Sequence, residues 1–154
     1  MKPTRFDSLF AAYYGRRFSM VEARLWGRIS FLFSFVEAVT GTVAFSAWLS
    51  KSPDLASTMG LVIAISVTAN QAIKPKEKSM AQEFMKQKFG AIIEDESKLS
   101  DDELASRVAA LQNEPGSEIE ALRDPVYVQT AQELGCSHAP IPLTFWQKFI
   151  NAIA

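Results

Sequence analysis

Three places in the chain carry side chains whose types could do chemistry. Cys136-Ser137-His138 sets a thiol two residues from the only histidine, Asp101-Asp102-Glu103 is a run of carboxylates, and Glu37 is an acid inside an apolar stretch. A structural zinc site needs four ligands and the first place supplies two, so Cys136 reads as a lone loop thiol, and as the single cysteine it has no internal disulfide partner. The second place reads as the first turn of a helix, where negative charge is favoured by the helix dipole, rather than as a metal cluster. The chain has no glycine-rich phosphate loop and no histidine pair at metal spacing, and His138 is its one imidazole base. The expectation is a non-enzyme without catalytic residues, cofactor or metal.

Glu37 is explained by the stretch that holds it. Ile29 to Leu49 reads ISFLFSFVEAVTGTVAFSAWL, and Leu55 to Ile73 reads LASTMGLVIAISVTANQAI. At about 1.5 Å per residue both are long enough as helices for a bilayer core of about 30 Å. Between Ile29 and Ile73 the only charged residues are Glu37, Lys51 and Asp54. The pattern predicts an all-α integral membrane protein with a two-helix transmembrane hairpin, 29–49 and 55–73. An N-terminal amphipathic helix (1–28) precedes it; a cytoplasmic helical module (74–135) and a linker with an apolar C-terminal helix (136–154) follow. No signal peptide is expected, since about 28 polar and aromatic residues come before the first apolar run. Basic residues flank the two runs, from Lys2 to Arg28 and from Lys74 to Lys88, while the connection has only Lys51, which predicts both termini on the cytoplasmic side of the membrane. With a net charge of −1, no direct nucleic-acid partner is expected.

Helical spacing places Ser34, Glu37, Ala38 and Gly41 on one small-residue face of the first run, with Gly27 and Ser30. Gly60, Ala64 and Thr68 lie on a similar face of the second, with Ser57 and Gln71. These are the candidate helix-packing or pore residues, and two readings stand for Glu37: a pore-lining acid, or a neutral carboxyl bonded to Ser34, Thr68 or a backbone carbonyl. Asn70 and Gln71 read as interfacial caps.

The flanking segments supply helices with clear punctuation. From Phe6 to Leu25 the large apolar residues recur at three- and four-residue steps, a face equally suited to headgroups or to packing on C-terminal helices. Pro75 ends the second run by biasing Lys74 away from helical dihedrals. Met80 to Ile93 keep helical spacing, Ser100 to Glu103 form a capping box, and Asn113-Glu114-Pro115-Gly116 breaks that helix. Asp124-Pro125 starts another helix, Gly135 stops it, and Cys136 to Leu143 read as a linker. Thr144 to Gln147 form a second capping box, opening a helix in which Phe145, Trp146, Phe149, Ile150 and Ile153 make an apolar side for oligomer or membrane docking.

The order from Arg5 to Gly135 resembles the SLATT family of two-transmembrane effectors associated with bacterial nucleotide-signalling antiphage systems. The resemblance is carried by the helix Met80 to Glu94, by Leu99-Ser100-Asp101-Asp102-Glu103-Leu104, by Glu114-Pro115 and by Gln132-Glu133-Leu134-Gly135. Gly116 departs from related tails, which carry further proline or acidic residues there. The resemblance implies a homo-oligomer in the bacterial inner (cytoplasmic) membrane that perforates or depolarises the lipid bilayer under control of a partner from the same operon, of nucleotide-signal synthase or reverse transcriptase type. A phage holin-like lesion protein and a membrane-anchored scaffold are the alternative readings.

Overall fold

The computed structural model describes residues 3–40, 42, 45–46, 48, 50, 53–114, 119–136 and 142–153; the side chains of residues 53, 55, 56 and 151 fall outside that description. Among the described residues all regular structure is helical: α1 (Arg5–Thr40), α2 (Pro53–Ile73), α3 (Pro75–Glu94), α4 (Asp101–Gln112), α5 (Arg123–Glu133) and α6 (Phe145–Ile153). Short 3-10 turns at Glu96–Lys98 and Glu120–Leu122 precede α4 and α5.

The transmembrane hairpin is not what forms. Among the described residues no helix is long and apolar enough to cross a membrane. Of the first predicted span, 29–49, the first twelve residues are the end of α1, which began at Arg5 and carries Arg16, Arg17, Arg24 and Arg28 before them, and residues 41, 43–44, 47 and 49 lie outside the described residues. The second span coincides with α2, but Asp54, Ser57, Thr58, Ser66, Thr68, Asn70 and Gln71 interrupt its apolar sequence. The expected integral membrane protein is therefore corrected to an all-helical fold in which no described helix is long and apolar enough to cross a membrane, and the inner-membrane placement and its topology are not supported.

The chain divides into two compact units, unit 1 (Met1–Leu25 and Met80–Ala154) and unit 2 (Trp26–Ser79). Unit 1 is built on the amphipathic part of α1. Thr4 caps it: the Thr4 amide and hydroxyl donate to Asp7 Oδ2 at 2.9 and 2.8 Å, and the Asp7 amide donates back to Thr4 Oγ1 at 3.2 Å. Its inner face puts Ala12 against Phe89 and Ile92 of α3 and Leu104 and Val108 of α4, with Leu9 and Met85 at the margin. Complete burial of a side chain such as Leu104 contributes about 1.5–3 kcal/mol. Gly15 is the point of closest approach, since a Cβ there would lie 2.5 Å from Phe89 Cζ. On another side of α1, Phe10 meets Tyr127 of α5 with ring centroids 5.3 Å apart, and Arg17 pairs with Glu133 at 2.8 Å.

The turns of unit 1 follow from their residues. Ser100 opens α4 with both halves of a capping box. At the end of α5, Gly135 has φ +67°, its amide donates to Gln132 O at 3.2 Å, and the Cys136 amide donates to Ala131 O at 2.8 Å, which is the Schellman pattern. Thr144 and Gln147 cap α6 reciprocally, and Gln147 Nε2 donates to Asp124 Oδ2 at 2.7 Å, fastening α6 to the start of α5.

Candidate functional site

Unit 2 places the end of α1 beside α2. Lys78 Nζ lies 4.4 Å from the centroid of the Trp26 ring, and Asn70 Nδ2 donates to Glu37 Oε1 at 2.9 Å. Glu37 thus has a partner among neither Ser34 nor Thr68, the side chains expected for it, but in Asn70, which the sequence had suggested as a cap. Both are half-buried. Two polar residues set in apolar runs, each needing a hydrogen-bond partner, are the signal that links them in the sequence.

Most described residues of the small-residue faces are left exposed. Ser34, Ala38, Gly60, Ala64 and Thr68 are all exposed, and a Cβ at Gly60 would have nothing within 4 Å. Gly41 lies outside the described residues. Beside the small residues stand large apolar ones: Phe31 is 68% exposed and stacks on Phe35 at 6.3 Å, and Leu61 and Ile65 on α2 are 63% and 60% exposed. Unit 2 therefore presents bulky apolar side chains next to low ridges, a surface that can interdigitate with another helix surface.

A second apolar surface belongs to unit 1. On α6, Phe145 is 84% exposed, Trp146 stacks on Phe149 at 5.7 Å, and Phe149 and Ile153 are also exposed, while Ile150 is half-buried.

Of the chemistry-bearing places, Asp101 accepts from Arg5 Nη1 at 2.7 Å and Glu103 completes the Ser100 cap at 2.7 Å. These are structural duties at a helix start. The Ser100 hydroxyl first and its amide second hold the Glu103 carboxyl below the usual value of 4.5, just as the Thr4 amide and then its hydroxyl hold Asp7 below 3.8. Cys136 is half-buried with Sγ 3.8 Å from Leu134 O, and Ser137 and His138 lie outside the described residues.

Two features had no counterpart in the sequence reading. The Thr4–Asp7 capping box was legible as Thr4-Arg5-Phe6-Asp7, a hydroxyl three residues before an acid. A cavity of about 340 Å³ between α1, α3 and α4, with the fully buried Glu22 in its wall, was not. Glu22 sits one position from Val21 on an amphipathic helix, where a carboxylate ordinarily marks the solvent side.

Comparison of the chain with protein-family models, with curated proteins and with solved structures finds no match.

Proposed function

We propose that this chain is a non-catalytic helical effector that works by self-association, with unit 2 joining copies and a sensing partner controlling the assembly. The observation that supports it is the exposed apolar face of unit 2: Phe31, Leu32 and Phe35 of α1 with Leu61, Val62 and Ile65 of α2. Burying one such side chain yields about 1.5–3 kcal/mol, and association costs about 4–15 kcal/mol in lost freedom. Six such side chains supply about 9–18 kcal/mol, the same order as that cost.

A second copy is the occupant this face suits. From Ile29 to Thr40 the only charge is Glu37, already engaged by Asn70, and from Leu55 to Ile73 there is none, so the face demands no counter-charge. The exposed ridge of Gly60, Ala64 and Thr68 leaves room for the bulky residues of an identical surface. Control by a partner is taken from the resemblance of 80–135 to SLATT tails.

Sedimentation velocity over a hundredfold concentration range tests the reading, with Leu61→Glu/Ile65→Glu as the variant. The wild-type chain is expected to sediment as a defined oligomer and the variant as a folded monomer. A monomeric wild type, unchanged assembly in the variant, or flotation of the wild type with lipid vesicles in place of self-association overturns it.

A further inference from the structure

An open groove of about 550 Å³ on unit 1 lies where the 3-10 turn Glu120–Leu122 and the start of α5 meet the start of α6. Two acids, Glu120 and Asp124, line it together with the indole of Trp146. Gln147 Nε2 donates to Asp124 Oδ2 at 2.7 Å, a contact from a neutral amide that positions the carboxylate and leaves its charge. Arg123 is the one base among the described lining residues, and it is already engaged by another group of the protein. Trp146 is exposed and stacks on Phe149 at 5.7 Å, so the groove opens onto the apolar face of α6, where Phe145 and Ile153 are exposed as well.

Contiguous exposed apolar side chains rimmed by polar ones mark interaction sites, and the charges at the rim select what docks there. Two carboxylates beside an exposed indole suit a positive group carried on an apolar stem. A guanidinium fits them best: it stacks on an aromatic face and offers several N–H donors to carboxylates, whereas an ammonium acts as a point charge. An anionic group would meet Glu120 and Asp124. We propose that this surface docks a segment of a partner protein in which an arginine is flanked by large apolar residues. The guanidinium enters the groove of Glu120, Asp124 and Trp146, and the apolar residues cover Phe145, Phe149 and Ile153. The surface belongs to unit 1, and the proposal stands apart from self-association through unit 2.

Fluorescence anisotropy of a dye-labelled Leu-Leu-Arg-Leu-Leu peptide, titrated with the full chain, tests it against the same peptide with neutral citrulline in place of arginine. The arginine peptide is expected to bind about fivefold more tightly. Trp146→Ala should weaken it about tenfold, and Glu120→Gln should cut the preference over citrulline to about twofold. Trp146 and Glu120 are both exposed, so these variants keep the fold, whereas Asp124 is left unchanged because it fastens α6. Absence of binding, equal affinity for the two peptides, or a preference untouched by both variants overturns the proposal. Phe149→Ser reads the other occupants of the face. Loss of a wild-type oligomer in that variant assigns the face to a second copy, loss of flotation with phosphatidylglycerol vesicles assigns it to lipid, and either result overturns the proposal.

Discussion

Asn70 Nδ2 donates to Glu37 Oε1 at 2.9 Å, joining α1 to α2 across 33 residues of sequence. Both members are half-buried, so each would forfeit a partner if the other were removed. A hydrogen bond to a charged group contributes about 1.5–3 kcal/mol when well buried and less when half-exposed. A double-mutant cycle of Glu37→Leu and Asn70→Leu, read by chemical denaturation, should therefore give a coupling of about 1 kcal/mol. Strictly additive single and double variants would show that the contact does not hold the two helices together.

Among the described residues, Lys74 and Gly135 take positive φ, and they predict opposite signs. Gly135 at +67° closes the Schellman turn of α5, whereas Lys74 at +51° separates α2 from α3. A side chain in the left-handed region costs about 1 kcal/mol relative to glycine. Gly135→Ala should lower the melting temperature and Lys74→Gly should raise it, since the exposed Lys74 gives up only a surface ion pair with Glu77 at 3.3 Å. A fall for both variants would mean that the Lys74–Glu77 pair outweighs the backbone term.

What was legible in the sequence is what depends on neighbours in the chain. The capping residues Ser100 and Thr144, the stop at Gly135 and the break at Pro75 all act within a turn of their own position, and the backbone follows them. The apolar runs misled because length and absence of charge do not distinguish a span from a helix with one packed face. The deciding terms were the uninterrupted continuation of Phe6 to Leu25 into Ile29 to Thr40, and the scatter of Ser, Thr, Asn and Gln through α2. The Glu22 cavity was hidden for another reason: it is made by three helices distant in sequence, and periodicity along one of them says nothing about a gap between them.

The start of α4 carries a pH dependence whose sign is fixed. The Ser100 hydroxyl and amide hold the folded-state Glu103 carboxyl below its usual 4.5. A group depressed on folding stabilises fully above its unfolded value and loses that contribution as pH falls through the folded value. Ser100→Ala should therefore raise the Glu103 pKa toward 4.5 in a carboxyl-detected NMR titration and flatten the loss of stability below that pH. At neutral pH the same substitution should cost about 1 kcal/mol as a lost N-cap. A Glu103 titration unaltered by Ser100→Ala would show that the hydroxyl is not what holds the carboxyl down, leaving the residue-100 amide, which the substitution keeps, and the charge of Arg107.

Arg5 offers the sharpest separation between charge and shape. Its Nη1 donates to Leu99 O at 3.1 Å and to Asp101 Oδ1 at 2.7 Å, while Nη2 donates to Glu96 O, so one guanidinium closes the 3-10 turn at Glu96–Lys98 and meets the acidic start of α4. An ammonium carries the same charge but cannot present two nitrogens to acceptors held in a fixed fork. Arg5→Lys keeps the attraction to Asp101, which as a largely exposed pair contributes at most about 1 kcal/mol, and gives up the carbonyl contacts. Arg5→Lys should thus lose most of the stability that Arg5→Met loses, about 1–2 kcal/mol. Hydrogen exchange should also quicken at the amides of Lys98 and Leu104, whose bonds to Asp95 O and Ser100 O flank the turn. If Arg5→Lys is as stable as the wild type and only Arg5→Met is weakened, the ion pair with Asp101 is the interaction that counts and the carbonyl contacts are incidental.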